Sequence, residues 1–139
     1  MQALTPKEVV RRFNIEVIER GDRAVFLTLM AKDFVNHSAP PGASSGSEGM
    51  WNTFENVLRP AISDLRVRIE DQLVDGDKVT TRKVIEGVLT GPLLGKAPNH
   101  APIRIEVIDI VRVHDGRYVE HWGINNLPSV LARLESVAG

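Results

Sequence analysis

The chain has 139 residues, 42% of them hydrophobic and 25% charged, with 17 basic against 18 acidic side chains and a formal net charge of −1. That length fits one packed domain, and the even balance, without a run of like charge, argues against nucleic acid or anionic lipid as a partner. There is no cysteine, which excludes disulfide frameworks, thiolate metal sites and cysteine nucleophiles together.

The amino terminus, MQALTPKEVVRRF, lacks a basic segment followed by an apolar run, and no stretch approaches the ~18 apolar residues of a membrane span. A cytoplasmic protein without a membrane partner is expected. The first helix signal is Thr5-Pro6-Lys7-Glu8, a capping box with proline at the first helical position. Val10, Phe13 and Val17 then repeat at helical spacing, and Gly21 supplies a left-handed stop. Asp22 caps a second helix, Arg23 to Ala31. Asp33 to His37 is a short mixture of apolar and polar residues that runs into a Pro/Gly/Ser-rich loop, residues 38–46. A third helix begins near Ser47, with Met50, Trp51, Phe54, Val57 and Leu58 in phase, and Pro60 ends it.

Beyond Pro60 the period changes to two. Leu65 to Glu70 alternates apolar with charged residues, and Asp75-Gly76-Asp77 signals a hairpin into a second strand, Lys78 to Leu89. A long connection leads to a third strand, Ile103 to Val113, and Asp115-Gly116 turns it into a fourth, Arg117 to about Asn126. Three helices followed by an antiparallel meander imply a single α+β domain with the helices on one face of the sheet.

Strict alternation would put Tyr118, Glu120, Trp122, Ile124 and Asn126 on one face of the fourth strand. If that face is the one under the helices, it offers a carboxylate, an indole and an amide within apolar surroundings, the usual recipe for a small-molecule pocket. A plain core strand is the competing reading. The hairpin register decides the neighbour. A three-residue loop, His114-Asp115-Gly116, turns Arg112 toward Glu120, whereas a two-residue turn brings Asp109 there instead; the first is slightly favoured. His37, at the edge of the Pro/Gly loop, is a candidate for proton transfer. His100 and His114 lie in turn-like, exposed segments, His121 points away from the Trp122 face toward a surface or subunit contact, and Arg82-Lys83 reads as a solvated basic pair. No metal-ligand spacing, Walker loop or nucleophile elbow is present, so any chemistry here needs only side chains and a shaped cavity.

The order and spacing of four segments resemble the SnoaL-like polyketide cyclases of the nuclear transport factor 2-like (NTF2-like) superfamily. They are Asp33-Phe34-Val35-Asn36-His37 with Pro40-Pro41-Gly42, then Asp64-Leu65-Arg66-Val67, Gly76-Asp77-Lys78-Val79, and Asp115-Gly116-Arg117-Tyr118-Val119-Glu120-His121-Trp122. The resemblance implies a cone-shaped α+β barrel enclosing an apolar cavity, a homodimer formed through the sheet, and cofactor-free aldol cyclisation of a hydrophobic carbonyl compound. In the family pattern an acid–base aspartate stands four residues after the tryptophan, where this chain has Asn126. An amide cannot accept that proton, so Asn126 would orient a carbonyl or a water and His37 or Glu120 would serve as base. The family's threonine-histidine-threonine-glycine-like segment is reduced to Val88-Leu89-Thr90-Gly91, and its third-strand histidine falls near Arg112. Trp51, Phe54, Arg112, Tyr118, Trp122 and Ile124 complete the expected substrate contacts. The first expectation is an enzyme that cyclises, isomerises or hydrates such a carbonyl compound; a catalytically silent binding module and a dimeric scaffold with a self-filled cavity are the alternatives.

Overall fold

The computed structural model describes residues 4–137. Helix α1 starts where Thr5 accepts the Glu8 N–H at 3.2 Å and donates its hydroxyl to the Glu8 carboxylate at 2.9 Å. It is α-helical over Pro6–Arg12 and continues in wider π-helical winding over Phe13–Glu19. Gly21, at φ +71°, reverses the chain. The exposed end of the helix is closed from outside by the Arg59 guanidinium, which donates to the carbonyls of Val17, Ile18 and Glu19 at 3.2, 2.7 and 3.1 Å. A Cβ on Gly21 would come within 2.9 Å of that guanidinium, so the position needs glycine twice over.

Helix α2, Arg23–Leu29, is capped by Asp22 and stops two residues earlier than its sequence pattern suggests, because Met30 already belongs to a strand. This strand, β1 (Met30–Asn36), is one the local pattern does not reveal. It exists through parallel pairing with a strand more than eighty positions away. Helix α3 runs from Ser47 through Ala61 in three windings, Ser47–Asn52, Thr53–Leu58 and Arg59–Ala61. Pro60 sits in its last turn. Strands β2 (Ile62–Asp75), β3 (Lys78–Leu89), β4 (Pro102–His114) and β5 (Arg117–Asn125) follow, and helix α4 (Leu127–Ala132) comes last.

The strand order is β1-β5-β4-β3-β2, with the β1–β5 pair parallel and the others antiparallel. The sheet is open, with β1 and β2 as its edges, so the α+β class holds while the barrel does not close. Its inner face carries Val79, Ile85, Leu89, Ile103, Ile105, Val111 and Val113 against Val9, Val10, Phe13, Val17 and Ile18 of α1. Each such side chain withdrawn from water contributes about 1.5–3 kcal/mol. Among the described residues no helix is long and apolar enough to cross a membrane.

Candidate functional site

Register determines which side chains meet. The β4–β5 connection is the two-residue turn Asp115-Gly116, both residues at positive φ (50° and 73°), which suits a tight hairpin between right-twisted strands. The slightly favoured three-residue loop is therefore not the one formed. Beyond the turn Val113 pairs with Tyr118 but Arg112 pairs with Glu120, so Val119 is an extra residue, a β-bulge. Alternation holds only while the count is unbroken. The bulge puts Tyr118, 2% exposed, on the inner face and sends Glu120, Trp122 and Ile124 to the outer one, which overturns the expected common face. Each register alternative was half right: Arg112 does meet Glu120, and Asp109 does share a face with Tyr118.

The inner face holds a polar cluster that periodicity conceals. Asn14 on α1, Lys83 on β3 and Asp109 on β4 are 0%, 5% and 5% exposed. Lys83 Nζ donates to Asn14 Oδ1 at 2.6 Å and to Asp109 Oδ2 at 3.3 Å, while Asn14 Nδ2 donates to the Val10 carbonyl at 2.8 Å. Lys83 is thus no solvated basic residue, unlike its neighbour Arg82, which pairs with Asp71 on the outside. His121 lies on the face opposite Trp122, as expected, but that face is the interior. Its Nε2 is 3.3 Å from Asp109 Oδ2 and its Nδ1 is 2.8 Å from Asn36 Oδ1. The Ser38 N–H donates to the same Asn36 oxygen at 3.0 Å, which fixes the amide orientation. Both imidazole nitrogens therefore face acceptors, and the arrangement is satisfied when both carry protons.

Asp109 Oδ1 is buried and meets no donor among the described residues. Burial pushes the Asp109 carboxyl up, but Lys83 and His121 together outweigh it and the net displacement is downward. Burial, and then the Asp109 charge, hold the Tyr118 phenol well above its ordinary value of 10. The Tyr118 ring stacks on Phe13 with centroids 4.3 Å apart. Gly123 leaves room for the imidazole, since a Cβ there would lie 2.9 Å from His121 Cε1 and 3.4 Å from Asp109 Cβ. A charged residue on the apolar parity of a strand was the available signal: Lys83 between Thr81 and Ile85, Asp109 between Val107 and Val111.

The remaining sequence candidates are dispersed. His37, Arg112, Glu120 and Trp122 gather on the outer face: Glu120 accepts from Arg112 Nε at 2.5 Å, lies 2.8 Å from His37 Nε2, and the His37 ring stacks on Trp122 at 4.8 Å. Arg112, and then His37, draw the Glu120 carboxyl below its ordinary range. Ile124 is 71% exposed on the same face. Trp51 and Phe54 pack instead among the helices, against Phe26 and Phe13 at 5.0 and 6.1 Å. Asn126 belongs to neither set. Its N–H donates to the Glu106 carbonyl at 3.1 Å and its Oδ1 accepts the Glu106 N–H at 2.8 Å, extending the β4–β5 ladder by one rung. Where β1 bows away between Met30 and Val35, an open bay of about 870 Å³ lies on the outer side, lined in part by Lys32, Asp33, Arg112 and Arg117. Among the described residues no group of three His, Asp or Glu side chains is placed to hold a metal ion.

The SnoaL-like polyketide cyclase model matches residues 8–134. The chain belongs to that family. Among solved structures it is similar to IdmH of Streptomyces antibioticus, a candidate polyketide cyclase, with 28% identity, a TM-score of 0.81, and 93% of this chain and 97% of that one covered. A candidate SnoaL-like cyclase from Jannaschia sp. CCS1 gives 26% identity and a TM-score of 0.78 over 96% and 93% of the two chains. A protein of ketosteroid isomerase-like fold from Catenulispora acidiphila, 23% identical with a TM-score of 0.68 over 94% and 93%, supports the fold alone. No curated protein matches the sequence. The family assignment agrees with the open α+β architecture of the NTF2-like fold.

Proposed function

We infer that this SnoaL-like chain is a cofactor-free acid–base enzyme that closes a ring in a hydrophobic, carbonyl-bearing small molecule by aldol addition, with Asp109 as base. One observation supports the reading: the buried Asp109 keeps an Oδ1 that meets no donor among the described residues, while Lys83 and His121 hold its other oxygen. A proton leaves an acidic C–H for Oδ1, the enolate carbon adds to a ketone of the same molecule, and the new alkoxide takes a proton from the His121 imidazolium. Asp109 then releases its Oδ1 proton to solvent and His121 regains one from solvent, so the cycle closes with no net proton change. Lys83 stabilises the enolate charge. The lowered basicity of Asp109 restricts the reaction to carbons flanked by two carbonyls. His37 and Glu120, the bases suggested by sequence, face outward.

The test is deuterium exchange at the activated methylene of a naphthoylacetate ester, followed by mass spectrometry. Asp109→Asn and His121→Gln should each slow enzyme-dependent exchange by about 10²–10⁴-fold. Exchange that survives Asp109→Asn and disappears in Glu120→Gln would move the chemistry to the outer face. The stacked Phe13–Tyr118 pair in the interior favours a second reading, a scaffold with a self-filled cavity, for which neither ester binding nor exchange is expected.

The partner on the outer face is a second copy of the chain, packed sheet to sheet. Ile108 pairs across strands with Ile124 and Ile110 with Trp122, and the three isoleucines are 44%, 71% and 37% exposed. Charges of both signs, Arg82, Arg104, Glu106 and Glu120 among them, surround this strip and suit a two-fold contact.

A further inference from the structure

The outer His37–Glu120 cluster and the inner His121–Asp109 cluster meet at one short stretch of backbone. Edge strand β1 pairs with β5 at Met30↔Tyr118, Val35↔Glu120 and Asn36↔His121, with a bulge after the first pair. At the end of β1 Asn36 reaches inward to His121, and the next residue, His37, already in the turn, reaches outward to Glu120. The backbone between them is held on both sides. The His37 N–H donates to the His121 carbonyl at 2.8 Å, the Gly123 N–H donates to Ser38 Oγ at 2.8 Å, and the Ser38 N–H donates to Asn36 Oδ1 at 3.0 Å. Outside, the His37 ring lies nearly parallel to Trp122, at 11°, and Glu120 is anchored in turn by Arg112, whose guanidinium stands 3.9 Å from Asp77.

We propose that His37 and Glu120 form an external latch that positions the internal imidazole of His121, acting through Asn36 and Ser38. With the latch closed, Ser38 N–H keeps the Asn36 oxygen turned toward His121, whose Nδ1 must then carry a proton. With the latch open, residue 38 withdraws and the Asn36 amide is free to turn its NH₂ toward Nδ1. Nδ1 then becomes an acceptor, and the single imidazole proton sits on Nε2 against Asp109. His37 and Glu120 are positioning residues on this account. The catalytic consequence rests on the reading of Asp109 and His121 given above, whereas the effect on the imidazole does not, so the two can fail separately.

The experiment is long-range proton–nitrogen NMR of His121 in the ligand-free protein, with amide exchange at Ser38 and Gly123. In the natural sequence Nδ1 is expected protonated. His37→Ala and Glu120→Gln should move the Nδ1 resonance toward the unprotonated position and speed exchange of both amides about tenfold, for about 1.4 kcal/mol of lost local closure. His37→Gln, whose amide can still donate to Glu120, should restore much of the natural spectrum. Exchange of the naphthoylacetate ester should lose kcat about tenfold with KM within about twofold. An unchanged His121 spectrum in both His37→Ala and Glu120→Gln overturns the proposal. If His37→Ala lowers the melting point enough to obscure the comparison, Glu120→Asp, too short to reach His37 and Arg112 together, puts the same question with the same two outcomes. A changed spectrum with undiminished ester exchange keeps the latch and removes the catalytic assignment instead.

Discussion

Replacing Asp109 by asparagine removes the negative charge between Lys83 and His121 while keeping nearly the same shape. Lys83 and Asp109 side chains are 5% and 6% exposed, so solvent screens the pair little and the surviving ammonium is left buried without a counter-charge. Removing one member of a buried pair typically costs about 3–5 kcal/mol. With a urea slope of about 2 kcal/mol per M for a domain of this size, the unfolding midpoint should fall by roughly 1.5–2.5 M. Lys83→Met should cost a similar amount, since it leaves the carboxylate short of its nearest cation. The Lys83→Met/Asp109→Leu double variant should cost less than either single change, because a well-packed apolar pair replaces two charges that were expensive to bury. Acid unfolding supplies an independent sign. Asp109 is held below its unfolded value, so its contribution is present above about pH 4 and fades as pH falls toward its lower folded value. Asp109→Asn should therefore show a shallower loss of stability on acidification. A midpoint unchanged within the error of the extrapolation, with additive single costs, would refute the description of a buried, coupled pair.

Tyr118 is the chain's single tyrosine, so the pH-difference absorbance of phenolate formation reports it alone, the two tryptophans having no ionisation there. Its folded value is raised, so stability present below about pH 10 should be lost as pH rises past the unfolded value, and phenolate should appear only together with unfolding; ionisation at the ordinary value in a folded protein would place the ring elsewhere. Arg59→Met strips three carbonyls at the end of α1 of their charged donor and should lower stability by about 2 kcal/mol in urea titration, with Gly21→Ala destabilising the same junction. Ile124→Asp combined with Trp122→Ala should convert a dimer to a monomer in sedimentation velocity without lowering the monomer's helical content; a natural protein already monomeric at micromolar concentration would exclude the sheet-to-sheet partner. Gly123→Ala should reduce ester exchange with little loss of stability, since its methyl meets the His121 ring rather than backbone.

Local chemistry made a good part of the architecture readable. The capping box at Thr5 set the start of α1, and the turn residues of Gly76-Asp77 and Asp115-Gly116 marked the hairpins, because caps and turns depend on a few adjacent residues. The ends of β3 coincide with its apolar alternation. Strand β1 was hidden because Met30 and Phe34 are its only buried residues, and its pairing partner lies at the far end of the chain. Asn126 stands where a family pattern expects an aspartate, yet its backbone and amide both bond Glu106; whether a side chain faces the cavity or the sheet end follows from pairing, not from spacing along one strand.

The amino-acid sequence alone determined the class of molecule: an α+β fold, the starts of its first three helices and its hairpins, and membership of a family recognisable from the order of its motifs; the last helix, at Leu127, it did not reveal. Tertiary structure decided which side chains meet. The single inserted residue, Val119, is what separates an inner Tyr118–His121–Asp109 neighbourhood from an outer Glu120–Trp122–His37 one. A bulge costs little locally and leaves almost no trace in composition, yet it inverts the face of every residue on one side of it relative to the other. Burial of the apolar face selects that register, and burial is a property of the assembled sheet and helices, not of the strand by itself.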